Sequence, residues 1–350
     1  MLVIATPCPL ILATPIALMG GMNAAASKRI IVKRLSAIET LSRITTVIFD
    51  KTGTITLGKP VISDIDLHNK SYDRAMVLTI ADAIERNSLH PLAKALLNAA
   101  QEEKIKRVLA TDVHEEIGKG ITGVVEGINY TLQKATQAAG MAIDLVISGA
   151  AVKNKPASSS HPIARFHFTD QIKENSTSIV KQLASDGLAL HIFTGDKQQA
   201  ANEIARRLGT GVEVKADCSP EDKKNGIAAL HKAGKVVAMV GDGINDAPAL
   251  AYADVGMVFS NEEHTAASEA ADIVFLGGNF KAVEDILGIS RRTIRIAKES
   301  IFAGIGLSII GMLFAAFGHI PPIIGAFMQE TIDILVIFNA LRASRQGKTS

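Results

Sequence analysis

Hydrophobic positions along this chain fall into two regimes. At the ends they form long charge-free stretches, and between them short β-branched runs alternate with amphipathic helical patterns. Residues 2–26 carry no charged side chain, and at 1.5 Å rise per residue about 20 helical residues cross the roughly 30 Å hydrocarbon core of a bilayer. A second span is predicted from 301 to about 317 and a third from about 323 to 341, after the Pro321-Pro322 turn. Within the middle, residues 46–49, 189–193 and 236–240 read as buried strands of the kind found in parallel sheets. Each runs into a Gly-containing turn bearing a carboxylate: Asp50-Lys51-Thr52-Gly53-Thr54, then Thr194-Gly195-Asp196, then Gly241-Asp242-Gly243-Ile244-Asn245-Asp246. Open α/β sheets bind ligands at the carboxyl ends of their strands, so these turns predict one site at one sheet edge.

Between the first turn and about residue 166 lies an insert with a different pattern. Its strongest signal is Glu85-Arg86-Asn87-Ser88-Leu89-His90-Pro91, with Pro91 suited to the first turn of an amphipathic helix over 92–103. Gly118-Lys119-Gly120 would let backbone approach a ligand closely, although a Gly-x-Gly by itself is a weak signal. The Ser-rich stretch 156–160 reads as the linker back.

Composition adds orientation. The chain has 350 residues, 21% of them charged, and a net charge of +2, with a mean hydropathy of +0.23 that is apolar for a wholly soluble protein. Lys28, Arg29, Lys33 and Arg34 follow the first span, Arg291, Arg292, Arg295 and Lys298 precede the second, and Arg342, Arg345 and Lys348 follow the third. All three clusters lie on the cytoplasmic side under the positive-inside tendency, and the soluble block then faces the cytoplasm of a multi-pass cell-membrane protein. A cleaved signal peptide ending at Ala24-Ala25-Ala26 is the rival reading. No basic segment precedes the apolar run, and three prolines interrupt it. The near-neutral charge and 4% aromatics give no case for nucleic acid. Two cysteines make no disulfide framework, and Cys218 reads as a bystander thiol.

The turn residues suit phosphoryl transfer through a covalent aspartyl phosphate at Asp50. A carboxylate attacks a polyanionic phosphate only when charge is neutralised, so Asp50, Asp242 and the Thr52 position are expected to share a Mg²⁺ ion while Lys223 and Thr194 hold phosphoryl oxygens. Thr52 stands two residues after the nucleophile, where haloacid-dehalogenase-type hydrolases usually place an acidic general acid/base. Threonine neither protonates a leaving group nor activates water there, so the phosphoenzyme is expected to persist.

Asp50-Lys51-Thr52-Gly53-Thr54, Thr194-Gly195-Asp196, Pro220-Glu221-Asp222-Lys223 and residues 241–248, in that order, resemble the motifs of the P-type ATPases. Thr6-Pro7-Cys8-Pro9-Leu10 resembles the Cys-Pro motif of the heavy-metal branch. Lys197 departs from the Asn common after the second loop, and Leu89 from the Ser-Glu-His-Pro motif of that branch. The resemblance implies an α/β fold: a haloacid-dehalogenase-like Rossmannoid phosphorylation domain (28–59 and 163–290) with an inserted α+β nucleotide-binding domain (60–162). One transmembrane helix precedes them (1–27), and a stalk with a helical hairpin (291–343) and a tail (344–350) follow. It implies ATP near Glu85, His90, Gly118 and Gly120, and catalytic roles for Asp50, Lys51, Thr52, Thr194, Gly195, Asp196, Lys223, Asp242, Asn245 and Asp246. Stalks at 27–40 and 290–300 would carry the change to the membrane.

Two prolines bracketing Cys8 remove amide donors and free carbonyls, which is tolerated at membrane depth where backbone lines a cavity. Glu330 and Asp333 are three apart and so share a helix face. Intramembrane carboxylates are expensive, and both are expected to point inward and, with Cys8, to bind a divalent transition metal. Carboxylates near the outer interface, serving helix pairing, are the alternative. Copper-type members usually carry a second Cys before the membrane proline, where this chain has Thr6, so copper(I) is disfavoured. The family normally has further helices and an actuator domain with a Thr-Gly-Glu loop. None occurs here, so a fragment, or a chain completed by an upstream polypeptide, is expected. A membrane-tethered phosphatase and a catalytically inactive binding subunit are the alternatives.

Overall fold

A computed structural model describes residues 8–116, 119–136, 140–148, 162–209, 211–241, 244–260, 266–317 and 320–345. In chain order the elements are α1 (Cys8–Ala26), β1 (Ile30–Val32), α2 (Leu35–Leu41), β2 (Thr46–Phe49), β3 (Thr56–Leu67), α3 (Arg74–Glu85), α4 (Pro91–Glu102), β4 (Thr111–Glu116), β5 (Gly120–Val125), β6 (Ile128–Lys134), β7 (Met141–Ile147) and β8 (Ala164–Ile172). There follow α5 (Ser176–Ser185), β9 (Ala189–Phe193), α6 (Gln198–Leu208), β10 (Val212–Lys215), α7 (Pro220–Lys232), β11 (Val237–Gly241), α8 (Ala247–Tyr252), β12 (Val255–Ser260), α9 (Ala266–Ala270), β13 (Ile273–Leu276), α10 (Lys281–Ala316) and α11 (Pro322–Ala340). They form two compact units, one of residues 1–55, 173–195 and 205–350, the other of 56–172 and 196–204.

The first unit holds a seven-stranded sheet in the order β1-β13-β12-β11-β2-β9-β10. It is parallel throughout except for β1, which runs antiparallel to β13. β2 and β11 are buried along their whole length, as expected of parallel strands covered on both faces. β11, β2 and β9 are neighbours, so the three motif-bearing turns leave adjoining strand ends. β11 begins one residue later than its pattern predicts.

The membrane part of this unit comprises α1, α10 and α11, three helices long and apolar enough to cross a bilayer. α1 continues through Pro15, and Ala24 and Ala25 are packed at 3% and 0% exposure, as suits a helix packed into the fold rather than a cleavage site. Close helix contact relies on missing side chains. A Cβ on Gly21 would lie 2.5 Å from the Thr293 hydroxyl, and one on Gly304 would lie 2.5 Å from Pro9 and 2.8 Å from Val336.

The stretch expected to be the first stalk is instead a strand and a short helix, β1 and α2. β1 pairs with β13, so the end of α1 is tied to the seven-stranded sheet by backbone hydrogen bonds. The second stalk is part of α10, a single helix of 36 residues and hence about 54 Å long. That exceeds a bilayer core, and its first half stands outside.

The second unit is a six-stranded antiparallel sheet, β3-β8-β7-β6-β5-β4. Its core joins Val77, Leu78, Ala81 and Ile84 of α3 and Leu96 of α4 to Tyr130, Leu132, Leu145 and Phe166 of the sheet. α3 is capped by the Asp73 carboxylate, which accepts from the Met76 amide. Strands β3 and β8 pair as far as Thr56 opposite Ile172, so residues 56–59 and 163–172 belong to this sheet.

Candidate active site

Asp50 leaves the end of β2 with its amide donating to the Val240 carbonyl of β11 at 2.8 Å. The chain then makes an irregular turn in which Thr52 is extended and Gly53 has φ +71°, a left-handed value that only glycine takes without a Cβ penalty. Asp50, Lys51 and Thr54 are buried and Thr52 is exposed.

Lys223 arrives from α7. The helix opens with a capping box between Ser219 and Asp222, and Pro220 occupies its first turn. In the next position Lys223 is buried, and its ammonium donates to Asp50 Oδ1 at 2.5 Å and to Asp246 Oδ1 at 2.6 Å. Two glycines make this convergence possible. A Cβ on Gly226, three residues further along α7, would lie 2.5 Å from the buried Phe193 ring, and one on Gly241 would lie 2.7 Å from Asp246 Oδ2. Burial opposes the Lys223 charge, but the two carboxylates outweigh it and the ammonium titrates above its ordinary value. The site therefore keeps a fixed cation against the nucleophile.

Thr194 is buried at the end of β9, its amide donating to the Lys215 carbonyl and its own carbonyl accepting from the Cys218 amide. Gly195 is exposed and Asp196 half-buried; Asp196 groups with the second unit. Cys218 acts through its backbone, and burial pushes its thiol up, away from reactive thiolate. Asn245 is exposed. Asp242 lies outside the described residues. The donor set fits Mg²⁺, a hard ion taking carboxylates, carbonyls and water: Asp50 and the Thr52 backbone stand together at the strand end, and Asp242 follows the adjoining strand in sequence.

In the second unit Glu85 ends α3 and is buried. Burial raises its carboxyl above the usual range, with Ser88 bonding opposing and the Glu115 charge adding to it. Glu115 belongs to β4 and pairs with Ile121, next to Gly120 in β5; Glu115 was not singled out in the sequence. Gly120 has φ +132°, and a Cβ there would meet the Leu132 carbonyl at 2.1 Å, a position closed to other residues. Gly118 lies outside the described residues. His90 is exposed and caps α4, its Nδ1 accepting from the Leu92 amide at 3.2 Å, which leaves Nε2 to face outward. His161, the second His-Pro histidine, also lies outside the described residues, with the 156–160 linker.

A family model described as haloacid dehalogenase-like hydrolase matches residues 44–254. The chain belongs to that family. Curated relatives of this haloacid dehalogenase-like chain include a probable copper-importing P-type ATPase A of Enterococcus hirae, 34% identical over 99% of the chain and 48% of the relative. A copper-exporting P-type ATPase of Vibrio cholerae is 33% identical over 97% and 39%. Among solved structures, a zinc-transporting PIB-type ATPase in the E2.Pi state superposes with a TM-score of 0.87 at 29% identity, covering 98% of this chain and 57% of the other. The catalytic domain of the CPx-ATPase CopB-B matches with a TM-score of 0.60 at 30% identity, over 75% and 96%. The resemblance to heavy-metal P-type ATPases thus runs along nearly the whole chain, which spans about half the length of the curated relatives it matches. The fold is a phosphorylation-type α/β domain with an inserted α+β domain, one membrane helix before and a hairpin after.

In the membrane unit of this haloacid dehalogenase-like chain, α1, α10 and α11 do not by themselves enclose both carboxylates. Glu330 is exposed and Asp333 half-buried. The inward position belongs to Gln329, 5% exposed, whose amide donates to Asp333 Oδ1 at 3.0 Å while its carbonyl oxygen accepts from Ser308 of α10 at 3.4 Å. Residues three apart lie about 60° off one another around a helix, and α10 meets α11 on the Gln329 side of Asp333. Nearer the cytoplasmic end, the Asn339 amide donates to Ser300 at 2.8 Å. Pro9, next to Cys8, packs at Gly304 one turn from Ser308, and Val336, three residues from Asp333, packs there too. The Cys8 side chain lies outside the described set, and among the described residues no three His, Cys, Asp or Glu side chains cluster as a metal site.

Proposed function

We propose that this chain carries the catalytic machinery and part of the membrane path of an ATP-driven pump for a divalent transition metal, working through phosphorylated Asp50. What supports this most is Lys223, buried between Asp50 and Asp246 at adjoining strand ends. A carboxylate so held beside a fixed cation suits in-line attack on a phosphoryl group, because the transition state spreads negative charge over the equatorial oxygens.

In the proposed step an Asp50 oxygen forms a bond to the γ-phosphorus of ATP, the bond to the β,γ-bridging oxygen breaks with its electron pair, and ADP leaves. Lys223 and the Thr194 hydroxyl hold phosphoryl oxygens. Mg²⁺, held by Asp50, the Thr52 carbonyl and Asp242, would neutralise charge on the transferring group. Lys51, Gly195, Asp196 and Asn245 line the strand-end loops. Thr52 supplies no acid or base for hydrolysis, which favours a lasting acyl phosphate. The second unit is proposed to bind the nucleotide through Glu85, His90, Gly118 and Gly120. Sustained turnover is proposed to need the hydrolytic group of an actuator domain, carried by an upstream segment or polypeptide.

For the cargo we propose Cys8 with Asp333, joined by Gln329 rather than Glu330. One soft and several hard donors suit a divalent transition ion better than copper(I). The test is metal-stimulated phosphoenzyme formation, measured with the upstream region restored, across several divalent ions. Cys8→Ala and Asp333→Asn are expected to abolish the metal response and Glu330→Gln to keep it. An unchanged response in the first two removes them from the site. Rapid turnover of a simple phosphoester without ATP would instead favour a membrane-tethered phosphatase, and nucleotide binding without any phosphoenzyme would favour an inactive binding subunit.

A further inference from the structure

Where α10 leaves the catalytic sheet and enters its charge-free stretch, a groove of about 530 Å³ lies between α10 and the end of α2. Its polar wall is Arg43, Arg291, Arg295 and Lys298, and its other wall is Ile294 and Phe302. The cations are not equivalent. Arg291 pairs with Asp186 at 2.5 Å and Arg43 with Glu39 at 3.6 Å, while Glu299, the one carboxylate in the lining, faces Arg342 at 4.0 Å. Among the described residues, Arg295 and Lys298 are exposed and have no carboxylate partner.

Position decides what such a groove meets. Lys298 and Glu299 are the last charged residues before residues 300–316, which carry none. Arg342, at the cytoplasmic end of α11, stands at the same height as Glu299. Arg295 to Phe302 covers about 10 Å of helix rise. That distance spans the step from the headgroup layer to the hydrocarbon edge. Phe302, 73% exposed, continues into the apolar band of α10.

We infer that this groove binds one anionic phospholipid of the cytoplasmic leaflet. Its phosphate would sit against Arg295 and Lys298 and its glycerol and upper acyl carbons against Ile294 and Phe302. A soluble phosphate would gain nothing from the apolar wall, and a zwitterionic lipid would return part of the charge gain through its own cation. Because α2 leads directly to β2 and Asp50, an occupied groove would brace the membrane entry of α10 against the base of the catalytic sheet.

The test uses the purified chain in nanodiscs of phosphatidylcholine containing about a third phosphatidylglycerol, with retained lipid read by native mass spectrometry. Preferential retention of one phosphatidylglycerol is expected. Arg295→Gln with Lys298→Gln should weaken it roughly 25-fold, about fivefold per cation near an anionic surface. Lys232→Gln with Lys235→Gln, remote from the membrane, should not change it, and melting curves confirm that both variants fold. Equal retention of phosphatidylcholine, unchanged retention in the first double variant, or full displacement by soluble glycerol phosphate would each overturn the assignment.

Discussion

At the residue scale the site rests on one buried ion triad. Removing one partner of a buried ion pair leaves uncompensated charge and costs about 3–5 kcal/mol. Lys223→Ala should therefore lower the unfolding free energy of the first unit by that order, seen in denaturant melts, and should also remove phosphorylation. Because the folded Lys223 titrates above its unfolded value, its contribution is full below that unfolded value and fades only as pH rises through the folded one; neutral pH leaves it intact. Glu85 shows the opposite physical cost. Its carboxyl is raised by burial, so the stability tied to its neutral form is full below the unfolded value and is lost as pH climbs through the folded one. Glu85→Gln should melt higher than wild type at about pH 7, with the gain vanishing towards about pH 4. The same substitution should weaken ATP binding if the proposed nucleotide role holds. Asp50 and Lys223 were legible because each sits in a dense motif. Gln329 was not, because a neutral amide raises no titration or charge signal, and three-residue spacing names a face only once the partner helix is known.

At the element scale the legible features were those with a strong period: the β2, β9 and α4 patterns and the three membrane spans. The insert boundary was harder. The boundary expected between residues 59 and 60 falls inside β3, at a register shift against β8 between Thr56 and Pro60. Proline is tolerated there because β3 is an edge strand and the shift removes the need for its amide. Likewise β1 is three residues long, too short to carry a period. Packing of α7 on β9 sets where Lys223 stands, and it depends on Gly226. Gly226→Ala should cost about 1–3 kcal/mol through overpacking against Phe193. By displacing Lys223 it should slow phosphorylation about 100-fold, the scale of an ångström misplacement, with ATP affinity unchanged in equilibrium binding.

At the scale of the whole molecule, the Asp50 strand end and the membrane helices are joined within the first unit by short covalent and hydrogen-bonded paths. β1 links α1 to β13, Lys28 pairs with Asp285 at 2.6 Å, and α10 runs unbroken from the sheet into the bilayer. Such ties suit a fold in which phosphorylation at a strand end alters the tilt of membrane helices, and they agree with the likeness to solved heavy-metal ATPases. The chain is a multi-pass membrane protein, with its basic flanks marking the cytoplasmic side. The central claim is covalent chemistry at Asp50, and it is tested most directly by incubating the chain with ATP labelled at the γ-phosphate, Mg²⁺ and candidate metals, then quenching in acid. Label that survives acid, is released by hydroxylamine and is absent from Asp50→Asn is the result expected. Label that persists in Asp50→Asn, or no label in the wild-type chain with the upstream region supplied, would contradict it.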